Sequence, residues 1–244
     1  MTLGMFSVLP LPKHFWDEDC AGLMMPYLPV AGVIIGAIWW GAAELLRYMQ
    51  IVPALSAGLM TLVMFFMPGL IHLDGFMDTS DAVLSRRPVE EKIRILKDPH
   101  TGSFAVIMIA ALFIMQFAAA LVLFGEGWNG AFKLFIPITV ISRCCTAFAA
   151  LSLRPAGHSS YINMFRKNAK TAYSVFTVCF SVCAIAFAYY TGGVYGLIAA
   201  AAVALGYVVS MTCVYRSMNG VSGDLAGFSL VVSELCGVIA LAAI

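Results

Sequence analysis

The sequence predicts an all-α protein, a polytopic helical bundle embedded in a membrane that it crosses about seven times. Of its 244 residues, 61% are hydrophobic and only 11% are charged, whereas soluble domains average about 25% charged residues. The apolar residues fall into seven runs that are long enough, or nearly so, to cross a hydrocarbon core of about 30 Å. No soluble segment of any size separates these runs, so residues 1–244 are expected to form a single membrane-embedded domain.

The apolar runs give the expected spans in chain order. A single residue separates the first run from the second, and Pro53 follows directly, so these two spans are expected to form a tight hairpin. The pair Gly192-Gly193 marks the turn between the fifth and sixth spans. The expected spans are 26–49, 51–71, 104–124, 132–153, 172–191, 193–215 and 225–244.

Short elements are expected between the spans. Residues 70–84 can continue the second helix beyond a kink at Pro68-Gly69. Pro88 suits the first turn of a helix over 88–97, because acidic residues open this segment and basic residues close it, as the helix dipole favours. Residues 158–171 set apolar side chains against basic ones, a pattern typical of a segment that lies at the membrane surface.

Basic residues are distributed unequally between the two ends of the expected bundle. One end carries the N-terminal segment and the loops 72–103, 154–171 and 216–224, and it holds eleven Lys and Arg residues. The opposite end holds two. The positive-inside rule places the richer end in the cytoplasm. The N-terminus and all three loops are therefore expected on the cytoplasmic face.

The stretch that begins at His72 carries three carboxylates in a chain with few acids: Asp74, Asp78 and Asp81. Spacings of four and three residues place all three on one face of a helix. Carboxylates stacked within two turns repel one another unless a cation lies between them, and Mg²⁺ binds carboxylate oxygens together with substrate phosphates. The spacing predicts a metal–phosphate site. The alternative is a solvated acidic helix face.

Two further loops carry residues that suit such a site. Lys97 and Asp98 could add a phosphate-binding cation and a fourth carboxylate, although a capped helix end explains them equally well. Ser222, Gly223 and Asp224 open the last helix, where backbone N–H groups suit an anion and a carboxylate suits a cation. The alternative for these three residues is an ordinary N-cap.

Other ionisable residues are candidates because of their position. Arg143 and Glu234 lie inside apolar runs, about 15 Å and about 14 Å from the cytoplasmic ends. Their matching depths indicate an ion pair, but Arg143 could instead line a cavity that faces a phosphate. Arg154 opens a basic loop and suits either a phosphate contact or a topology determinant. His72 and His100 flank the acidic region and could move a proton or simply form hydrogen bonds.

Motifs of several other protein classes are missing from the sequence. It has no Walker A loop, no GxSxG, no HExxH and no nucleic-acid motif. The residues alone indicate an integral membrane enzyme with a cytoplasmic acidic metal site that acts on a phosphorylated substrate. The alternatives are another Mg-dependent membrane transferase, of the CDP-alcohol phosphotransferase or prenyltransferase type, and a cation-coupled transporter.

The same motifs resemble those of the cobalamin synthase family, the adenosylcobinamide-GDP ribazoletransferases. HLDGFMDTSDA at 72–82 is similar to the family's HLDG-x-x-D-x-x-D-G, and KDPHTGSFA at 97–105 to its KD-x-x-x-G-x-F stretch. VSGDLAGFSLVVSE at 221–234 is similar to the late T-G-D-x-x-G segment. The patterns at 8–12 and at 141–143 also look like those of the family, so the resemblance covers nearly the whole chain.

The chain departs from the family pattern at three places. Ala82 stands where the family usually has glycine, and Ser222 replaces threonine while keeping the hydroxyl group. The segment 154–165 lacks the family's usual Gly-Leu-Gly. These departures affect the substrate contacts expected in that segment and leave the reaction class unchanged.

The resemblance implies a reaction, a cofactor and a location. α-Ribazole or its 5′-phosphate and adenosylcobinamide-GDP would give adenosylcobalamin or its phosphate and GMP, with Mg²⁺ as cofactor. The protein would lie in the bacterial cytoplasmic (inner) membrane with its active site facing the cytoplasm; a homo-oligomer is left open. The expected metal ligands are Asp74, Asp78, Asp81, Asp98 and Asp224. The expected catalytic residues are Asp81, Asp78 and His72, and the expected substrate-binding residues are Lys97, His100, Arg143, Arg154, Ser222 and Gly223.

Overall fold

The described part of the protein is helical throughout, as the sequence predicts. The computed structural model describes residues 1–10, 17, 20–125, 130–156, 160–167 and 169–244. Among these residues there is no β-strand, only an isolated bridge between Pro155 and Val221. The helices are α1 (Thr2–Phe6), α2 (Met24–Tyr48), α3 (Pro53–Phe66), α4 (Ile71–Leu84), α5 (Val89–Ile95), α6 (Ser103–Gly125), α7 (Phe135–Ser152), α8 (Ser160–Arg166), α9 (Thr171–Met218) and α10 (Gly223–Ala242), with 3-10 turns at Ala21–Leu23 and Ala131–Leu134.

Five helices are long and apolar enough to cross a bilayer, and the bent pair α3–α4 gives a sixth if it counts as one span. These helices confirm the expected polytopic helical membrane protein. Residues 11–12 of the N-terminal pattern, and residues 158–159 and 168 of the expected surface segment, lie outside the described residues.

Helix α9 contains two of the expected spans. Its 48 residues would extend about 72 Å as one straight helix, more than twice the thickness of a hydrocarbon core. At Gly193 the backbone leaves the helical region, with φ +57° and ψ −136°, and a Cβ at Gly196 would overlap the carbonyl of Ala188. The chain therefore folds back at Gly193, as the Gly-Gly pair predicts. Each half of α9 then corresponds to one of the expected spans, 172–191 and 193–215.

The second segment departs from the straight span expected over 51–71. Helix α3 ends at Phe66, and α4 leaves it at an angle of 87°. Gly69 supplies the left-handed backbone that this corner needs, with φ +79°. After this corner α4 packs against α10 and α6, with Gly75 against Asp224 and Leu73 in one apolar cluster with Leu112 and Val231. The expected kink is confirmed, and it places the acidic helix against the first turns of α10.

Small residues let the central helices approach closely. Gly32 and Gly36 of α2 lie against α7, and Thr139 donates a hydrogen bond to the carbonyl of Gly32 at 2.8 Å. A Cβ at Gly36 would overlap the Thr139 hydroxyl. Gly237 of α10 likewise lies directly against Val203 of α9, where a Cβ would overlap the Val203 side chain. Close backbone approach of this kind holds helices together where lipid removes the hydrophobic driving force.

The polar segments meet at one end of the bundle, which we call the loop end. The backbone N–H of Val8 donates to Met67, and the Lys92 ammonium donates to the Ser217 hydroxyl at 2.6 Å. The bridge at Pro155 joins the segment after α7 to the segment before α10. The N-terminal segment and the three loops thus lie on the same end, and they place α4 over the start of α10.

Candidate active site

Helix α4 presents the three acids of the HLDG stretch on one face, as their spacing predicts. Asp74 is exposed, while Asp78 and Asp81 are half-buried. The opposite face is packed: Phe76 is 3% exposed and stacks on Phe228 of α10, with ring centroids 5.2 Å apart. Burial of that face fixes which way the helix turns, so the carboxylates point together toward the loop end.

A fourth carboxylate comes from α10. Gly75 lies directly against the backbone of Asp224, and a Cβ at Gly75 would stand only 2.8 Å from the Asp224 Cα atom. Only glycine allows α4 and α10 to touch backbone to backbone at this point. Asp224, in the first turn of α10, is thereby brought beside the α4 acids. We call Asp74, Asp78, Asp81 and Asp224 the acidic cluster.

The acidic cluster carries uncompensated negative charge at Asp78. Burial, followed by the charges of Asp74, Asp224 and Asp81 in that order, raises the pKa of the Asp78 carboxyl from 3.8 to about 6. Burial and three like charges both disfavour the charged carboxylate, and no cation among the described residues offsets them. The cluster is therefore electrostatically suited to a cation.

Asp81 lies against the turn that leads into α6. A Cβ at Gly102 would overlap the Asp81 carboxylate, so glycine is needed for the approach. Because α6 begins at the next residue, the carboxylate sits at the positive end of that helix dipole. The roles of Gly75 and Gly102 were not predicted from the sequence. Their only signal was a glycine inside each of the two motifs.

The donor set fits a magnesium ion that shares its coordination with a substrate. Within the described ranges, no three Asp, Glu, His or Cys side chains are grouped closely enough to hold a metal by themselves. Mg²⁺ does not need such a cage, since it usually takes one or two carboxylates and completes its shell with waters and substrate phosphates. The structure thus supplies carboxylate oxygens and negative potential rather than a finished metal cage.

Asp98 and His100 form a local turn of their own. The Asp98 carboxylate accepts hydrogen bonds from the His100 backbone at 3.0 Å and pairs with the His100 ring at 2.7 Å. These contacts with His100 lower the pKa of Asp98, and the acids of the cluster do not contribute to the shift. Lys97 is exposed beside them. The turn gives Asp98 local partners in the connection between α5 and α6, and α5 itself ends at Ile95 with Leu96 as its C-cap.

Arg143 is enclosed in the bundle. It is 0% exposed and forms an ion pair with Glu234, which also accepts a hydrogen bond from Ser142 at 2.8 Å. The expected ion pair is confirmed. A substrate phosphate could reach Arg143 only if this pair opened. In the structure the expected substrate contact is not accessible, because Arg143 is fully buried.

His72 is also enclosed. Its side chain stacks on Phe6, with centroids 5.6 Å apart, and the residue is 7% exposed. Its Nε2 atom has no hydrogen-bond partner among the described residues. A ring held in this way positions α4 against α1 and offers no accessible nitrogen to a substrate hydroxyl.

The loop before α10 is tied to the segment after α7. The Val221 backbone N–H donates to the carbonyl of Arg154 at 3.0 Å, and the Arg154 residue is exposed. Ser222 is the N-cap of α10, accepting from Leu225 at 3.4 Å, and is 2% exposed. Gly223 is exposed with open space where a side chain would be. Of the expected substrate contacts in this loop, Gly223 and Arg154 are accessible, whereas Ser222 is committed to the cap.

Comparison with known proteins agrees with the motifs. The family model described as cobalamin-5-phosphate synthase matches residues 1–242. An adenosylcobinamide-GDP ribazoletransferase of Clostridium botulinum (strain Alaska E43) is 37% identical, over 97% of this chain and 93% of the relative. A protein of the same name from Clostridium perfringens (strain ATCC 13124) is 35% identical, over 99% and 95%.

More distant matches carry the same name. The adenosylcobinamide-GDP ribazoletransferase of Pseudomonas putida (strain KT2440) is 31% identical, over 96% of this chain and 90% of the relative. No solved structure matches the chain significantly. A family match over nearly every residue, on a helical membrane scaffold that gathers the motif aspartates at one end, shows that the chain belongs to the cobalamin-5-phosphate synthase family.

Proposed function

We propose that this protein is an adenosylcobinamide-GDP ribazoletransferase. It joins the adenosylcobinamide phosphate of adenosylcobinamide-GDP to α-ribazole or α-ribazole 5′-phosphate and releases GMP. Family membership over the whole chain and the shared name of its relatives support the reaction. The observation that carries the site is the acidic cluster, in which α10 adds Asp224 to the three acids of α4.

In the proposed reaction one P–O bond forms and one breaks. A ribose hydroxyl oxygen attacks the diphosphate phosphorus attached to the corrinoid, and the bond from that phosphorus to the bridging oxygen of GMP breaks. The hydroxyl proton passes to a base, and GMP leaves with the electron pair. Charge grows on the transferred and leaving phosphates, so positioning and charge neutralisation are what the protein must supply.

We assign the acids of the cluster to two tasks. Asp78, with Asp74 or Asp224 beside it, would hold Mg²⁺ together with waters and the substrate phosphates. When bound, the ion would neutralise charge on the diphosphate. Asp81 differs from the other acids of the cluster in lying against the turn at Gly102, before α6. We assign Asp81 to accept the proton of the ribose hydroxyl, because enclosed His72 is in no position to do so.

The cations of the loop end would orient the substrate phosphates. Arg154 and Lys97 are both exposed there, and Gly223 offers an open backbone at the start of α10. The excess of Lys and Arg at the loop end favours an orientation in which this end faces the cytoplasm and the helices span the inner membrane of a bacterium. Substrate and product would then exchange with the cytoplasm.

The proposal predicts GMP release by the purified protein. Reconstituted protein supplied with adenosylcobinamide-GDP, α-ribazole and Mg²⁺ should release GMP and form the corrinoid product, measured by chromatography. Asp78→Asn should lower kcat/KM at least about 100-fold, the size of effect seen when a transition-state charge contact is lost.

Glu90→Gln is the matched control, because Glu90 is an exposed acid of α5 outside the cluster. Glu90→Gln should retain activity. Near-normal turnover by Asp78→Asn would remove this residue from the site. Solute flux across the vesicle without any GMP would favour the transporter instead.

A further inference from the structure

A groove runs along the bundle between α7 and both halves of α9. Its volume is about 400 Å³, and its lining is almost entirely apolar. Three of its lining residues face outward from the bundle: Val178, Val182 and Val208 are 49%, 60% and 57% exposed. These are spanning helices, so the outward side of the groove faces lipid. The occupant it can reach most directly is a hydrocarbon chain of the bilayer.

The groove begins at the loop end and descends into the bundle. Leu153 lines its outer end, and Cys144 lines it nine residues deeper along α7. At 1.5 Å per residue this depth is about 13 Å, or nearly half of a hydrocarbon core. Ser181 on the first half of α9 lines the inner part. A groove of this length and polarity suits an extended acyl chain, which would make dispersion contacts along the apolar lining.

The outer end of the groove is cationic. The Arg166 guanidinium donates a hydrogen bond to the carbonyl of Leu153 at 2.7 Å, so it lies at the mouth of the groove. Lys170 directly precedes α9, which forms the other wall. The segment 154–171 contains four Lys or Arg residues and no Asp or Glu. Basic clusters beside a membrane span bind the headgroups of anionic lipids.

We propose that this groove binds one anionic phospholipid, with an acyl chain between α7 and α9 and its phosphate against Arg166 and Lys170. The apolar lining accounts for the chain, and the charge at the mouth selects an acidic headgroup over a zwitterionic one. The site is separate from the acidic cluster and from the proposed reaction. It gives Arg166 and Lys170 a task that the proposed reaction does not require.

Lipid retention by the purified protein tests this site without any measurement of activity. The probes are phosphatidylglycerol and phosphatidylcholine with identical acyl chains, titrated into the delipidated protein in detergent and followed by native mass spectrometry. Phosphatidylglycerol should bind more tightly, by about fivefold for each cation that contacts its phosphate. Arg166→Gln should remove about fivefold of that preference and leave binding of phosphatidylcholine unchanged. Equal binding of the two lipids by the unaltered protein would overturn the proposal.

A second variant addresses the groove itself without removing the Arg166 hydrogen bond. Val178→Trp places a large ring in the groove from its exposed side and should abolish retention of both lipids there. Val209→Trp is the matched control, since Val209 is 60% exposed on α9 and does not line the groove. Unchanged lipid retention by Val178→Trp would contradict the proposal. So would a dimer of the unaltered protein that dissociates in Val178→Trp while no lipid is released, because a second copy would then occupy the groove.

Discussion

At the scale of single residues, the mutual repulsion of the carboxylates in the acidic cluster favours the binding of a cation. Asp78 is half-buried between Asp74, Asp81 and Asp224, and each neighbour opposes its ionisation. Keeping these groups together costs free energy in the metal-free protein, which a bound cation would return. The fold holds these carboxylates near one another and so raises their affinity for a divalent cation. Aspartates on an ordinary surface can move apart in solvent and gain no such affinity.

The raised pKa of Asp78 predicts a pH dependence of stability in the absence of metal. Because its folded pKa, about 6, exceeds its ordinary value of 3.8, the folded protein holds the proton more tightly than the unfolded chain. The stabilisation from Asp78 is therefore present below about pH 4 and is lost as pH rises through 6. The Tm of protein in EDTA should fall across this window, and the fall should be smaller in Asp78→Asn.

The raised pKa of Asp78 also predicts that Mg²⁺ affinity depends on pH. A cation competes with the proton for the Asp78 carboxylate, so its affinity should rise as pH increases through about 6. Calorimetric titration with Mg²⁺ at pH 5 and pH 7.5 measures this change. An affinity independent of pH, or identical Tm profiles for Asp78→Asn and the unaltered protein, would contradict the proposed cation site.

Sequence spacing predicted the face that Asp74, Asp78 and Asp81 share, because helical periodicity is local. It did not predict Gly75 and Gly102 as contact residues. Gly75 meets Asp224, a residue 149 positions later, and no local pattern encodes that encounter. Sequence alone also left Arg143 undecided between an ion pair and a phosphate contact, because partner choice in a bundle depends on how the helices rotate.

At the scale of helices, the corner between α3 and α4 decides the function of the acidic stretch. A straight continuation would have carried the acids away from the bundle. The 87° turn instead lays α4 over the start of α10. A proline and a glycine in sequence predicted the kink, but the angle depends on packing: Phe76 stacks on Phe228 and His72 stacks on Phe6.

The contact of α4 with α10 predicts an unusual cost for a helix-favouring substitution. Gly75→Ala should raise intrinsic helix stability by about 1 kcal/mol. Its Cβ would nevertheless stand 2.8 Å from the Asp224 Cα atom. This is a backbone atom of α10, so the helix itself would have to move to relieve the clash. We expect the clash to win, with a lower Tm and GMP release reduced at least about tenfold through displacement of Asp224.

Gly41→Ala is the matched control on α2, because a Cβ at Gly41 meets nothing within 4 Å. It should leave activity unchanged and keep or slightly raise Tm. Unaltered activity in Gly75→Ala would show that the approach of α4 to α10 is not needed for the reaction.

At the scale of the whole molecule, charge is segregated and the bundle is tied together by few polar contacts. The order of the apolar segments followed from sequence, since span length is set by bilayer thickness. The Arg143–Glu234 pair did not follow from sequence in the same way. It joins α7 to α10 inside the bundle, where both side chains are buried. The same two helices connect the inner bundle to the loop end, where Asp224 of the acidic cluster lies in the first turn of α10.

The interior pair predicts a double-mutant cycle that separates structure from substrate binding. Glu234→Leu alone leaves the Arg143 charge buried without its partner and should destabilise the protein by about 3–5 kcal/mol. Arg143→Met combined with Glu234→Leu removes both charges and should recover most of that loss. Folding stability is measured by denaturant titration in detergent, and turnover by GMP release.

The two readouts of the cycle decide what Arg143 does. If the pair only holds α7 against α10, the double variant regains turnover along with stability, because the loop end is restored. If Arg143 instead contacts a substrate phosphate when the pair opens, the double variant folds well but binds adenosylcobinamide-GDP weakly. Complete enclosure of Arg143, with Glu234 and the Thr139 carbonyl as partners, leads us to expect recovery of both. A stable but inactive double variant would place Arg143 in the substrate site.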